Sequence, residues 1–542
     1  MLREGDEGEF ETVIRGLTIM NTIGESISVS RSPHFKRPPL CWSSPNQSTE
    51  SKGGNPEMIR VFTLCMIALL AVGVGAQTVT VSGTPAAVGP VDFEFLGDAL
   101  DSFIQGGANA GTPDDNIINI TATVVSMAPG AYSFTPAAGS QENYTVTGTL
   151  ASGGVATILV SQEAAGALDG FDWTADSNAV FTDLNFLPAA GNTMTDQLTT
   201  WDLVTATTVT LEFNNCYFGP NDGSDAPADR TGQTAGTVGV AVPDDSFVVF
   251  PDSGENVHLV LNDCVFHAGG GPDGDSAILA PAAGVNAGSL TMNNCVFSYA
   301  QRLGLQLGYD DPEPLRADGC IFYRNGQGAP ASLGNGLFTT GGGSGDMEMT
   351  DCIAAQNHDR NISMNSGATV GDWDIVDGCI FSDTLGGAGL DASAVVSAPG
   401  AGVNLITITN TTFHNTNGDT CVFLGDDPVS MEGVIIAGDG GTENGITGGA
   451  PVTIVDSAIV LFGPNSVAGG VPPGYTATAV TETSTINADP VFIQTTNPFN
   501  ADYFDVQNDQ YMAQGIGGAN LSGGGDFVGG LVPVELSVFS TN

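Results

Sequence analysis

The chain has 542 residues, 74 of them Gly, with 41% hydrophobic side chains and a formal net charge of −48 from 60 acidic against 12 basic residues. A surface so poor in Lys and Arg excludes nucleic acid and anionic membrane as partners, because both are held through basic side chains. The glycine content fits many short strands joined by polar turns rather than helical bundles.

From Met58 the sequence MIRVFTLCMIALLAVGVGA carries Arg60, an apolar run to about Val74, and small residues at Val74, Gly75 and Ala76. That pattern predicts a secretory signal peptide over 58–76 with Gln77 as the first mature residue. The apolar run is too short for a membrane span, and no other stretch competes with it. Residues 1–57 then lie upstream of a normal start and read as a mis-called start or a leader. After residue 76 remain 52 of the 60 acidic residues and five of the 12 basic ones, all Arg, for a charge of −47. Such a surface suits cations, high salt or an uncharged partner.

Leu96, Leu100, Phe103 and Ile104 fall at i, i+4, i+7 and i+8, which predicts an amphipathic helix over 97–105. Short strands are expected at 117–120, 144–147 and 156–160, so 77–176 reads as a cap and first coils. From 177 to 480 one pattern recurs. A column of Asp183, Asn215, Asp263, Asn294, Gly319, Asp351, Gly378, Asn410, Gly433 and Asp456 is followed by Leu184, Cys216, Cys264, Cys295, Cys320, Cys352, Cys379, Thr411, Val434 and Ser457. Two residues further come Phe186, Phe218, Phe266, Phe297, Phe322, Ala354, Phe381, Phe413, Ile436 and Ile459. Asn, Asp and Gly share a tolerance for positive φ, so the first column marks a left-handed turn in every unit, with Asn215, Asn294 and Asn410 as structural corner residues.

Successive turn residues are 23 to 48 positions apart, the spacing of coils with loops of variable length. Ahead of each turn lies an alternating strand such as Leu211 and Phe213, or Met347 and Met349, with polar partners that include Thr291 and Glu348. Trp373 and Ile375 break that register by one residue before Gly378, which predicts a local bulge. A second strand follows each turn, and a third is expected at 305–307, 337–339, 362–364 and 422–424. The stretches 219–247, 268–288 and 383–404 read as loops thrown out from the body. Cys216, Cys264, Cys295, Cys320, Cys352 and Cys379 occupy one column and are expected to stack as buried thiols, because parallel Cβ atoms on neighbouring rungs are too far apart for a bridge.

Three strands per coil, an Asn corner and stacked identical residues resemble the right-handed parallel β-helix, an all-β three-sided solenoid, of the pectin-lyase-like superfamily. The closing segment 481–542, with Asp489-Pro490-Val491-Phe492 and Asp502-Tyr503-Phe504-Asp505-Val506, resembles the D-P-x-F and D-Y-x-L end of bacterial secreted β-helix repeat proteins. Residues 532–539 resemble the opening of sorting domains exported by type nine secretion. The resemblance implies a secreted or cell-surface bacterial protein that meets polysaccharide or extracellular matrix.

Polysaccharide lyases of that superfamily take a proton with Lys or Arg, often beside calcium; this chain offers Arg302, Arg324 and Arg360 on consecutive coils, with Asp310 and Asp311 as nearby acids. Arg302 and Arg360 fall at offsets +8 and +9 from their turn residues, which would stack them two rungs apart, roughly 10 Å. A local pairing of each Arg with the surrounding Asp explains the same cluster. A glycosidase needs two carboxylates on one groove. The pairs Asp310-Asp311 and Asp426-Asp427 precede Pro, where a turn accounts for them. The G-H-G and R-x-K strings of polygalacturonase-like enzymes are absent. Ca2+ at Asp310, Asp311, Asp426 and Asp427 is the one cofactor the acidic turns suggest; His258, His267, His358 and His414 are scattered and carry no zinc spacing. The reading is therefore a non-catalytic glycan-binding, adhesive or structural protein, with a polysaccharide lyase and then a glycoside hydrolase as alternatives, and the oligomeric state left open.

Overall fold

The structure is a computed structural model that describes residues 79–83, 91–105, 115–135, 143–161, 170–174, 177–190, 198–201, 209–234, 248–249, 257–269, 276–279, 289–307, 315–326, 334–339, 347–365, 373–385, 393–398, 405–414, 420–424, 428–438, 444–448, 451–460, 480–483, 490, 492, 495–500, 503 and 505. Two compact units divide the chain, residues 1–72 and 73–542, and every described residue belongs to the second. Residues 1–57 and 58–76, with the leader and signal-peptide readings attached to them, lie outside the described residues.

Strands of the described residues form three long sheets whose members come from every third strand in sequence, so the chain coils through the sheets in turn as a parallel β-helix. The first sheet holds the strands that precede the Asn, Asp or Gly column, the second those that follow it, and the third closes each coil. Pairing is parallel and in step. Phe213, Leu261, Met292, Ala317, Met349, Val376, Ile408, Met431 and Ile454 are mutual partners down the first sheet, and all are buried. Each coil therefore hides its apolar side chains against the coils above and below.

At the N-terminal end, strand Val79–Gly83 runs antiparallel to both Val91–Phe93 and Asp115–Ile120, and Val91–Phe93 terminates the first sheet. The helix Leu96–Gln105 lies at the same end, with Leu96, Ala99 and Leu100 buried in the core. An open solenoid end exposes apolar interior and unpaired strand, which these elements cover.

All ten members of the Asn, Asp and Gly column adopt positive φ, from 45° at Asp456 to 68° at Gly433. The order of residues down this corner is Asp, Asn, Asp, Asn, Gly, Asp, Gly, Asn, Gly, Asp, and no two carboxylates are neighbours. Two contacts explain the order. Asn215 Nδ2 donates to Asp183 Oδ1 at 2.6 Å and Asn294 Nδ2 to Asp263 Oδ1 at 3.3 Å. Elsewhere glycine clears space: a Cβ at Gly378 would lie 2.2 Å from Asp351 Oδ1, and one at Gly433 2.9 Å from Asn410 Oδ1.

Inside the corner the six cysteines are buried free thiols. Cys216 Sγ donates to the Phe181 and Asn214 carbonyls at 3.5 Å, and the later cysteines repeat this bond to the coil before. Burial raises the thiols of Cys216, Cys295 and Cys352 and keeps them protonated. Next to them Phe186, Phe218, Phe266, Phe297 and Phe322 stack with ring centroids 4.8–5.2 Å apart and within 8° of parallel. Ala354 interrupts the stack, which resumes at Phe381 and Phe413.

The second sheet is buried on both faces, because its outward residues are also apolar: Leu187, Tyr217, Val265, Val296, Ile321, Ile353 and Ile380 form a separate cluster outside the solenoid. Two straps cover it. In the first, Gly232 packs against Val296 and Ser298, and Tyr299 Oη donates to the Gln233 carbonyl at 3.2 Å. The second comes from the closing segment, where Tyr503 is wholly buried in the cluster and Phe492 and Phe499 pack on it; Tyr503 Oη shares a hydrogen bond of 2.5 Å with Ser382 Oγ.

Three expectations are corrected by the fold. No bulge precedes Gly378: Glu348, Met349 and Thr350 pair in step with Ile375, Val376 and Asp377, so Ile375 takes an outward position and Val376 fills the core. Residues 219–234 do not leave the body but form the first strap. The stretches 268–288 and 383–404 contain third-sheet strands Ser276–Leu279 and Ser393–Ala398.

Candidate ligand-binding surface

Outward residues of the first sheet line up at the rung spacing because the strands are in step. Asn262 Nδ2 donates to Asn214 Oδ1 at 2.8 Å, Asn293 Nδ2 to Asn262 Oδ1 at 2.7 Å, and Asn214 Nδ2 to Glu212 Oε1 at 2.9 Å. His258 Nδ1 meets Ser289 Oγ at 2.7 Å, and Thr409 Oγ1 donates to Asp377 Oδ1 at 2.6 Å. Thr291, Thr407, Ser430 and Thr453 continue the polar outward positions on the same sheet. The outward column from Asn214 to Glu432 is polar on every rung, with amide, hydroxyl and carboxylate groups about every 4.8 Å, whereas Val260 and Ile375 interrupt the column beside it.

A second left-handed column lies five residues beyond the first, at Ala268, Tyr299, Arg324, Gln356 and Asp383, with φ from 37° to 57°. Only Asp383 is of a type that tolerates positive φ, so at the other four positions sterics alone do not favour the conformation. The next position inward explains it. Asn325 Oδ1 accepts from the Ala300 N–H at 3.1 Å while Asn325 Nδ2 donates to the Phe297 carbonyl; Asn357 Oδ1 accepts from the Asn325 N–H at 3.0 Å while Asn357 Nδ2 donates to the Phe322 carbonyl. Asn361 Nδ2 extends the buried ladder to the Ser382 carbonyl. Amides thus pin the backbone after Tyr299 and Arg324 and hold these strained residues in place.

The corner projects its side chains outward. Arg324 donates from Nε to Gln356 Oε1 at 2.8 Å, with its guanidinium carbon 5.2 Å from the centroid of the Tyr323 ring. Tyr299 and Phe499 meet Tyr323 edge to face at 5.6 Å and 5.4 Å. Burial, with the neighbouring Tyr299, pushes the Tyr323 hydroxyl up to about 12. One rung beyond Gln356, His414 Nδ1 lies 3.1 Å from Asp383 Oδ1.

The arginines are dispersed. Arg230, in the first strap, reaches Asn185 Oδ1 and both oxygens of Asn215, and burial pushes its pKa down. Arg316 pairs with Glu348 at 3.4 Å on the exposed first sheet, and Arg360 lies 3.9 Å from Asp359. Arg302 and Arg360 do not stack. Gly304 N bonds the Asn335 carbonyl and Gly336 N the Arg360 carbonyl, a register that sets Arg302 level with Gly334 and Asp359, and Arg360 level with Leu303. Asp310, Asp311, Asp426 and Asp427 lie outside the described residues, and among the described ones no group of three His, Cys, Asp or Glu is arranged around a metal position. Tyr299, Tyr323, Gln356, Asn325 and Asn357 escaped the sequence reading, although Asn325 and Asn357 share the offset +6 from their corner residues.

His267 stands just before this corner. It is wholly buried, with Nδ1 2.9 Å from Ser298 Oγ and Nε2 without a hydrogen-bond partner among the described residues. Tyr217 and Tyr299 flank its ring. Burial pushes the imidazole down to about 4, against the raising field of Asp229. For Asp229 burial acts to raise the carboxyl, but hydrogen bonds from Thr231 and Thr234 prevail and hold it below the usual carboxylate range.

No family model and no curated protein matches the chain. Among solved structures, tailspike protein 3 of bacteriophage CBA120 is similar over 80% of this chain and 64% of its own length, with 12% identity and a TM-score of 0.32. The chain therefore spans less than two thirds of that tailspike.

Proposed function

We propose that the protein is a secreted or cell-surface bacterial β-helix that binds a glycan or extracellular matrix without cleaving it, and that it belongs with the pectin-lyase-like proteins it resembles. The observation that carries the reading is the outward array on the first sheet. In its column from Asn214 to Glu432, amide, hydroxyl and carboxylate groups repeat at the rung spacing of about 4.8 Å, a pattern that complements a linear polymer whose hydroxyls also repeat. The signal-peptide pattern at 58–76 supports export, and the buried Tyr503 gives the D-Y element of the closing segment a packing role.

A lyase would need an Arg as base, hence a guanidinium able to lose its proton. A guanidinium keeps its proton in ordinary protein surroundings. A glycan array and a polysaccharide-depolymerisation screen on the full chain test the reading. Retention on saccharides without release of unsaturated or reducing-end products is the expected result; ultraviolet-absorbing product lost on Arg324→Ala would overturn it.

A further inference from the structure

The corner at Arg324 stands apart in a chain dominated by acid. Its contacts among the described residues are the Gln356 amide oxygen, the Tyr323 ring and the Ala355 carbonyl, and none is a carboxylate. Arg316 and Arg360, by contrast, each have a carboxylate beside them. The Nε bond to Gln356 fixes the plane of the guanidinium, and Tyr323 supports it from one side. A planar fork held in this way, with its terminal amino groups beyond the Nε edge, matches the geometry of a carboxylate or sulfate.

The surroundings match a sugar better than an isolated ion. Tyr299, Tyr323 and Phe499 bring aromatic edges to one place; Tyr323 is buried, while Tyr299 and Phe499 are half-buried, and half-buried rings accept the C–H face of a pyranose. Gln356 and Asp383 follow on successive rungs of the same corner, at a spacing that suits hydroxyls further along a chain. The positive φ of Arg324, 53°, is a local cost that the buried amide ladder sustains, and strain of this kind collects at ligand sites. The strong negative charge of the whole chain does not forbid an anion, since charges more than about 8 Å away are largely screened at physiological salt.

We propose that Arg324, framed by Tyr299, Tyr323, Gln356 and Phe499, is a subsite for the anionic group of an acidic saccharide. The assignment rests on the glycan-binding reading and narrows it to polymers that carry carboxylate or sulfate. Phe499 enters from the closing segment, so that segment completes the subsite as well as covering the second sheet.

The test is binding of the full chain to an array of matched pairs: oligogalacturonates with their methyl esters, and sulfated with unsulfated galactans. Acidic members should bind at least ten-fold more tightly than their neutral partners, and the uronate and sulfate arms identify which anion is taken. Arg324→Gly and Arg324→Ala should each lower affinity for the acidic member at least ten-fold and leave the neutral member unchanged. Arg324→Gly should melt no lower than Arg324→Ala, because glycine relieves the left-handed strain, so a loss shared by both variants reports the guanidinium and not the fold. Equal binding of acidic and neutral members, or unchanged binding by the variants, overturns the subsite while leaving glycan binding intact. Binding to no member of either series overturns both.

Discussion

At the first corner of the solenoid ten rungs place Asp, Asn or Gly in the left-handed region, and at the second corner five rungs place Ala268, Tyr299, Arg324, Gln356 and Asp383 there as well. The backbone shape is the same and its origin differs. At the first corner the residue itself tolerates the conformation and the side chain completes a ladder with the rung before it. At the second corner every residue but Asp383 is indifferent or unsuited, and a buried Asn of the next rung, Asn325 or Asn357, captures the N–H that follows Tyr299 or Arg324 and imposes the turn. A solenoid can therefore free a corner for function when an adjacent ladder takes over the structural task.

This contrast can be broken most forcefully at Asn215. Asn215→Val would force a β-branched side chain into the left-handed region and remove the Oδ1 acceptor of Arg230 and the Nδ2 donor to Asp183, for a loss of about 4 kcal/mol in denaturant unfolding. A cost below that of an ordinary surface change would mean that the first corner, too, is imposed from outside.

The next effect belongs to His267, beside the second corner. Its folded pKa is depressed to about 4 from an unfolded value near 6.5. Between those values the unfolded chain binds the proton and the folded one does not, so stability is fully present above about pH 6.5 and is lost as the pH falls towards 4. The loss at the lower limit is about 3 kcal/mol, seen as a falling unfolding midpoint in an acid series. His267→Gln should remove that share of the acid dependence; an unchanged series would show that the imidazole is hydrated under the strap.

Gly378→Ala should cost about 2 kcal/mol, through left-handed strain and the displaced Asp351 carboxylate. Ala268→Gly should have the opposite sign and the smallest size, a gain of about 0.5 kcal/mol, as relieved strain slightly exceeds the added freedom of the unfolded chain. Melting temperatures of the two variants measured side by side compare the corners directly. A destabilised Ala268→Gly would show that the second corner is not strained.

The difference also explains how far the fold and the candidate site could be read from residues alone. Asp, Asn and Gly announce the first corner because the conformation selects them, and the columns of Cys and Phe follow from it. Ala, Tyr, Arg, Gln and Asp share no property, so the second corner is invisible until the offset +6 of Asn325 and Asn357 is given a structural meaning. The outer cluster of the second sheet was written in runs such as Cys295-Val296-Phe297, apolar without alternation, the pattern of a strand buried on both faces. Offsets from the turn residues do not predict the placing of Arg302 and Arg360, because one-residue shifts between third-sheet strands and their turns move the two out of step. Phe499 could not be placed by counting rungs, since the closing segment folds back over coils laid down far earlier in the chain.

The alternation at the first corner bears on how such a molecule can grow. Copying one Asp-bearing coil beside itself would stack two carboxylates at a separation of about 4.8 Å, where like charges repel. Copying two adjacent coils, such as those of Asp183 and Asn215, keeps a donor or an empty position under every carboxylate. Any block of coils can be duplicated in this solenoid provided the junction does not bring two Asp-bearing turns together; otherwise a glycine or amide is needed between them.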